Sequence, residues 1–452
     1  MHYYRPDIDA LADKIMEYTR WRTELEPVPM GGTATAEDLR NELGPTITPD
    51  GIGGPAALKA FTDVLAPACL SVDHNRYLSF VPAAPTEAAI LFDLVVGAES
   101  IYGGSWMEGA GAAYAENEAL RWLADLAGLD ADAGGVFVPG GTVGNLSALV
   151  GGRRFAADRL NELGRPRPSR WVLLISDTAH SSVPAAARVM DADVVALPTG
   201  DDRRLRGDTV AEALDHHGDA VAAVVATAGT TNLGVIDDLE SIGEVCRSRQ
   251  IFFHVDAAYG GAALAAPSAR RLFDGIEHAD SIIIDPHKWL FAPFDCCALL
   301  WRNPDVARRA HAQHADYLSF LDSHGDWNPS DFAIHLTRRP RGLPFWFSLA
   351  TYGTDAYAQA VETTLAVAAQ AARRIEQAPH VRLAFEPGLT VVVFERIGWG
   401  PEDYQACTER MLADKVAFVV PSRHDGKPVF RFCFVNPRTT VDDIDAILDA
   451  MA

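Results

Sequence analysis

The sequence predicts an α/β fold: a mainly parallel central sheet with helices on both faces, followed by a smaller α+β domain. Three observations predict it. The first is a series of short apolar runs, Trp171–Ser176, Val194–Leu197, Ala220–Thr227, Ile251–Val255, Ser281–Ile284 and Ala298–Trp301, separated by helical segments. Such runs read as strands buried on both faces of a sheet. The second is where the conspicuous polar residues fall. Asp177–Ser182, Thr230-Thr231, Asp256 and His287-Lys288 all follow the carboxyl ends of those runs, where open parallel sheets place ligands. The third is a change of texture after Pro344. A long helical stretch over 345–378 leads to the run Leu389–Phe394, a helix near 402–415 and the strand Val429–Val435. Thr440-Val441-Asp442-Asp443 then has the form of a capping box opening the last helix.

Ahead of the sheet, Ile8, Leu11, Ile15 and Tyr18 recur at helical spacing behind Pro6-Asp7, and Pro27 and Pro29 end that helix. Its apolar face needs a cover, from the same fold or from a second subunit. The pattern over 85–130 is helical and carries Glu116, Glu118 and Arg121. Three parts follow: an N-terminal helical segment over 1–70, a large domain over 71–344 and a small C-terminal domain over 345–452. No internal repeat or low-complexity linker interrupts them.

Composition narrows the function. With 452 residues the chain can bury a sizeable core. Its 39 Lys+Arg against 61 Asp+Glu give a net charge of −22, which argues against nucleic acid and anionic membranes as partners. Cys69, Cys246, Cys296, Cys297, Cys407 and Cys433 form no Cys-x-x-Cys pair and have no metal-ligand spacing with histidine. Reduced thiols in a cytoplasmic enzyme without a metal are expected. The N-terminus has no apolar signal region, and no stretch is apolar enough to span a membrane.

Lys288 is the most telling residue. It closes the run Ser281–Lys288, and a lysine at the end of a buried strand is costly without a partner or a chemical use. A neighbouring run, Ile251–Asp256, ends in a carboxylate. An amine that can form an imine and a carboxylate that can face a pyridine nitrogen are the two groups a pyridoxal phosphate enzyme requires. Desolvation is expected to lower the lysine's pKa. Ala257-Ala258 would let a flat ring lie against the strand end. Gly140-Gly141-Thr142 before a helical run offers free N–H groups and a hydroxyl to a phosphate, although alone it reads equally as a plain strand-to-helix turn. It lacks the Gly-Lys-Ser/Thr of a Walker loop. His180, just past a core strand, reads alone as a satisfied loop residue; beside a cofactor it would stack on the ring.

In order along the chain, several motifs together resemble the pyridoxal-dependent decarboxylase family that includes aromatic L-amino acid decarboxylase. They are His74-Asn75-Arg76-Tyr77-Leu78, Gly140–Asn145, Ala179–Val183, Gly229-Thr230-Thr231, His254–Tyr259, Asp285–Trp289, Arg338-Arg339 and Asn436–Thr440. The resemblance implies an aspartate aminotransferase-type fold (fold type I), a homodimer with shared sites, and decarboxylation of an L-amino acid, aromatic or otherwise bulky, to the amine. It implies that Lys288 holds pyridoxal 5'-phosphate as a Schiff base, that Asp256 pairs with the ring nitrogen and that His180 stacks on the ring. Gly141, Thr142 and His287 would hold the phosphate, with Thr231 and Ala258 beside the cofactor. Phe80, Tyr102 and Trp106 would line a substrate pocket, and Glu108 would either meet a substrate amine or remain solvated; Trp346 joins these aromatics in suggesting a roomy pocket, although aromatic residues are as often core. One departure stands out. The segment Ser319–Asp331, which corresponds to the family's mobile loop, contains no tyrosine, and Tyr317 only precedes it. The α-carbon proton would then come from His180, His324 or water on Trp327, or the reaction would end in an aldehyde or be another carbon–carbon cleavage; a non-catalytic pyridoxal-binding protein is the remaining alternative, against which the Asp256–Lys288 pair argues.

Overall fold

A computed structural model describes residues 6–313 and 327–452, and the elements below are those of the described residues. Seven strands form the large sheet: β1 (Gly134–Val138), β2 (Val172–Ser176), β3 (Asp193–Leu197), β4 (Val221–Thr227), β5 (Phe253–Asp256), β6 (Ser281–Ile284) and β7 (Cys297–Trp301). Their order is β1-β7-β6-β5-β4-β2-β3. The pairs β2–β3, β2–β4, β4–β5 and β5–β6 are parallel, and β7 runs antiparallel to both β1 and β6. The sheet is therefore mainly parallel, as the apolar runs predict. Every residue of β4 is buried, which explains why that strand reads as a continuous apolar run rather than an alternation. Register pairs Thr227 with Asp256 and Asp256 with Ile283, so the ends of β4, β5 and β6 lie level.

The helix Gly141–Glu162 lies against this sheet at very short range. A Cβ at Gly144 would fall 2.8 Å from Ile283 Cγ2, and one at Gly151 would fall 2.4 Å from the Trp301 ring. Those two glycines let the helix seat closely, and the seat fixes where its N-terminus points.

The smaller sheet is antiparallel throughout, in the order β10 (Pro421–His424), β11 (Lys427–Cys433), β9 (Val391–Arg396), β8 (Val381–Phe385). The capping box at Thr440 is present, and Asp443 closes it while also accepting from Arg76 Nε at 2.7 Å and Asn75 Nδ2 at 2.9 Å. That carboxylate ties the segment after residue 73 to the last helix.

Four expectations need correction. The pattern over 85–130 is two helices, Glu87–Glu99 and Trp106–Leu126, because Ser100 turns left-handed (φ 49°) and Ser105 opens a new N-cap. The stretch 345–378 is also two, Leu343–Tyr352 and Thr354–Gln377, divided at Gly353 (φ 78°), a backbone setting that ends helices. The strands β1, β8 and β10 are additional to those read from the sequence, and β9 starts at Val391 rather than Leu389. The run into Lys288 leaves the sheet at Ile284, since Pro286 has no N–H for the ladder and instead begins a one-turn helix, Pro286–Trp289.

A buried ion pair joins parts distant in sequence. Arg338 meets Glu116 through two contacts, Nη1–Oε2 at 2.7 Å and Nη2–Oε1 at 2.8 Å, and Arg338 Nη1 also donates to the Gly103 carbonyl at 2.7 Å. Glu116 Oε1 accepts from Gly342 N–H at 2.8 Å. Glu116, which the sequence places within a helical pattern, is thus a core group.

Candidate active site

A cavity of about 300 Å³ opens at the carboxyl ends of β1, β2, β4, β5 and β6. The N-terminus of the helix Gly141–Glu162 forms part of its wall. Gly140 enters it at φ 83°, and no side chain caps it, so its first N–H groups face the cavity. A Cβ at Gly141 would approach Asp285 Oδ2 to 3.1 Å, so the cradle is shaped for glycine.

Close to it, across Asp285 Oδ2, stands Lys288. The short helix after Pro286 turns it back, so Nζ lies 2.9 Å from Asp285 Oδ2, and the side chain keeps 24 % exposure. Burial works against the ammonium, but the Asp285 carboxylate outweighs it and holds Lys288 above lysine's ordinary range. This corrects the expectation of a lowered pKa: desolvation acts as foreseen, and its neighbour overrides it. Burial would raise Asp285 as well, yet the charges of Lys288 and His287 hold its carboxyl below the usual range. Asp285 Oδ1 is buried without a partner.

Asp256 lines the same cavity from β5, 5 % exposed. Its Oδ1 accepts from Ala258 N–H at 3.1 Å and its Oδ2 from Asn145 Nδ2 at 2.9 Å. His180 lines the cavity beside it, with Nδ1 2.8 Å from Ser182 Oγ. His287 Nδ1 lies 2.7 Å from the Cys296 carbonyl oxygen, which turns the other ring edge toward Asp285, 3.8 Å away. Gly141, Thr142, Thr231 and Ala258 are also on the wall, as is Thr227, whose Oγ1 is buried and unpartnered.

The structure therefore brings together Gly141, Thr142, His180, Thr231, Asp256, Ala258, His287 and Lys288. It does not bring Phe80, Tyr102, Trp106 or Trp346 to this wall. Phe80 is 57 % exposed at φ 56° and packs near Phe418, and the Tyr102 hydroxyl donates to the Leu336 carbonyl at 3.2 Å. Trp106 N–H donates to Asn328 Oδ1 at 3.0 Å, and Trp346 Nε1 to Glu118 at 3.0 Å. Glu108 accepts from Ser105 Oγ at 2.8 Å in a helix cap. Trp327 stacks on Phe332 at 3.9 Å, away from the cavity wall. Tyr317, Ser319 and His324 lie outside the described residues.

Residues to which the sequence reading gave no site role include Asn145, Ser182, Thr227 and Asp285 on the wall and His254 behind it. One signal could have found His254: it stands two positions before Asp256 on a strand, hence on the same face.

The chain has relatives in sequence and in fold. Residues 55–397 match the description "Pyridoxal-dependent decarboxylase conserved domain". The chain belongs to the pyridoxal-dependent decarboxylase family. It is 33 % identical to an L-2,4-diaminobutyrate decarboxylase of Rhizobium meliloti (strain 1021), over 95 % of this chain and 83 % of that protein. It is 28 % identical to an aromatic-L-amino-acid decarboxylase of Bacillus atrophaeus, over 94 % of this chain and 90 % of that protein. The crystal structure of Oryza sativa TDC with PLP and tryptamine superposes with a TM-score of 0.90 at 24 % identity, covering 99 % of both chains. The fold is thus that of fold type I decarboxylases, and the protein is a carboxy-lyase whose cofactor is pyridoxal 5'-phosphate (PLP).

The cavity of this decarboxylase fits that cofactor. An uncapped helix N-terminus suits a phosphate, an acceptor-only carboxylate at Asp256 suits a protonated ring nitrogen, and Lys288 supplies an amine within the same space.

Proposed function

We propose that the enzyme decarboxylates an L-amino acid with an aromatic or other bulky side chain, giving the amine and carbon dioxide, through Lys288, Asp256 and His180. The observation that carries this is the placing of Lys288 and Asp256 on one cavity, reached from adjacent parallel strands, with a free helix N-terminus facing them. The near-full-length similarity to an aromatic-L-amino-acid decarboxylase supports the substrate class.

When bound, PLP supplies an electron sink for the pair left behind by the departing carboxylate. The protein's part is positional and electrostatic. Gly141 and Thr142 would hold the phosphate with backbone N–H groups, helped by His287 and Thr231. Asp256, fixed by Ala258 and Asn145, would favour a proton on the ring nitrogen. His180 and Ala258 would lie against the ring. Lys288 would supply through Nζ the amine that holds the cofactor.

Lys288→Ala should abolish turnover of every amino acid in a panel, with carbon dioxide, amine and peroxide read together under air. Retained turnover would sink the assignment. The tyrosine-free segment Ser319–Asp331 favours a second reading, in which the product is an aldehyde; carbon dioxide with peroxide and little amine would establish it.

We further propose a cytoplasmic homodimer built from the parts 1–70, 71–344 and 345–452, with the first packing on the partner. Exposed apolar side chains on three helices support this: Ile8, Met16 and Trp21; Leu91, Leu94 and Val95; Met107 and Tyr114. The six cysteines are free, in keeping with a reducing compartment. Among the described residues no helix is long and apolar enough to cross a membrane.

A further inference from the structure

A hydrogen-bonded chain runs along the cavity wall and, at His254, behind it. Asn145 is its hub, 1 % exposed. Its Nδ2 is 2.9 Å from Asp256 Oδ2 and 2.8 Å from Ser182 Oγ, and its Oδ1 is 2.8 Å from His254 Nε2. A carboxylate only accepts. Turning the Asn145 carboxamide over would set oxygen against oxygen at Asp256, so its nitrogen must face that side. Its oxygen then requires an N–H at His254 Nε2. His254 is fully buried, and burial pushes its pKa down to about 4, so it is neutral near pH 7. Its Nδ1 is then bare and accepts from Ser281 Oγ, 2.8 Å away, nearer than the Ser281 carbonyl oxygen at 3.2 Å.

The other branch runs to the cavity. Ser182 Oγ accepts the second Asn145 N–H and has its own proton left to give. Its neighbour is His180 Nδ1 at 2.8 Å, and Ser182 backbone N–H also points to that nitrogen from 3.2 Å. Two donors converge on Nδ1, so the neutral His180 ring carries its proton on Nε2. That nitrogen has no partner among the described residues, and His180 lines the cavity.

We propose that Asn145 and Ser182 are positioning residues that fix His180 as the Nε2–H tautomer. His180 then offers the site a hydrogen-bond donor and, as a neutral ring, no acceptor. The same carboxamide orients Asp256, so the group at the ring nitrogen and the group over the ring face form one unit. A donor there suits an anionic oxygen of the substrate, its carboxylate above all. This rests on the reading of His180 as a cofactor-facing residue, and it removes neutral His180 as the source of the α-carbon proton.

The test is nitrogen NMR of the loaded enzyme carrying 15N-histidine, with the His180 signals identified by their loss in His180→Gln. The expected result is a protonated Nε2 and a bare Nδ1; a protonated Nδ1 overturns the proposal. In Asn145→Leu the freed serine hydroxyl should no longer be committed, and a mixture of the two tautomers should appear. A lowered melting temperature with the tautomer unchanged would show a merely structural asparagine and also overturn it. Should Asn145→Leu fail to fold, Ser182→Ala gives the same readout: a reduced share of Nε2–H supports the proposal, and an unchanged share overturns it. None of these signals depends on turnover. If Lys288→Ala stays active, the catalytic assignment falls while the tautomer result stands.

Discussion

Asp285 shows how one side chain can govern another's chemistry. Its carboxylate outweighs burial at Lys288 and keeps the amine protonated, and an ammonium cannot attack an aldehyde. Asp285→Asn removes that charge and leaves desolvation dominant, so Lys288 loses its proton at lower pH. The half-point in a pH profile of the rate at which the unloaded protein takes up PLP, followed by absorbance, should move to lower pH. An unmoved profile would show that Asp285 has no hold on the lysine. The sequence made Lys288 and Asp256 legible because a charge closing an apolar run is conspicuous. It hid Asn145 and Ser182, since a polar residue on a helix gives no sign of its partner until helix and strand meet. It also hid the direction of the Lys288 shift, which depends on a turn that Pro286 makes.

At the scale of elements, the Arg338–Glu116 pair fastens the helix Trp106–Leu126 to the segment entering the helix Leu343–Tyr352. Both side chains are nearly without exposure, at 2 % and 3 %. Glu116→Gln leaves a buried guanidinium without its counter-charge, which costs about 3–5 kcal/mol. Urea unfolding should show the loss as a lower midpoint at unchanged slope. The helix containing Glu116 was legible from its periodicity, but its break from the preceding helix was not. Ser100 adopts a left-handed turn that glycine would have announced, whereas the Gly353 break lay within an otherwise continuous helical pattern. The edge strands β8 and β10 were hidden for another reason. They are only partly buried, so they lack the apolar runs that revealed the interior strands.

For the molecule as a whole, buried histidines couple stability to acid. His311 donates from Nε2 to the Ser147 carbonyl at 3.0 Å, and burial pushes its pKa down to about 4 from 6.5. The unfolded chain therefore takes up the proton first as pH falls. The group's contribution is present above the unfolded value of 6.5 and is lost as pH falls through 4. The span corresponds to about 3 kcal/mol. His311→Gln keeps a donor without the titration, so the difference in unfolding free energy between the two proteins should shift by about that much in the variant's favour between pH 7 and pH 4. Parallel denaturant curves at the two pH values would check it. PLP acts in the opposite sense by mass action. A hundredfold excess over its dissociation constant should stabilise the fold by about 2.7 kcal/mol, read as a raised melting temperature that Lys288→Ala diminishes.

The cavity wall has one more consequence, and it concerns the order of events in folding. Gly141, His180, Thr231, Asp256 and Lys288 arrive from five stretches of chain, each following a different strand of the large sheet. No two neighbouring stretches enclose the cavity by themselves. Parallel strands must each wait for a crossover to return, and such non-local pairing is slow. PLP therefore meets no binding site on a partly formed sheet and cannot guide the early steps. It should leave the refolding rate almost untouched and slow unfolding instead, closing like a latch on a topology already complete.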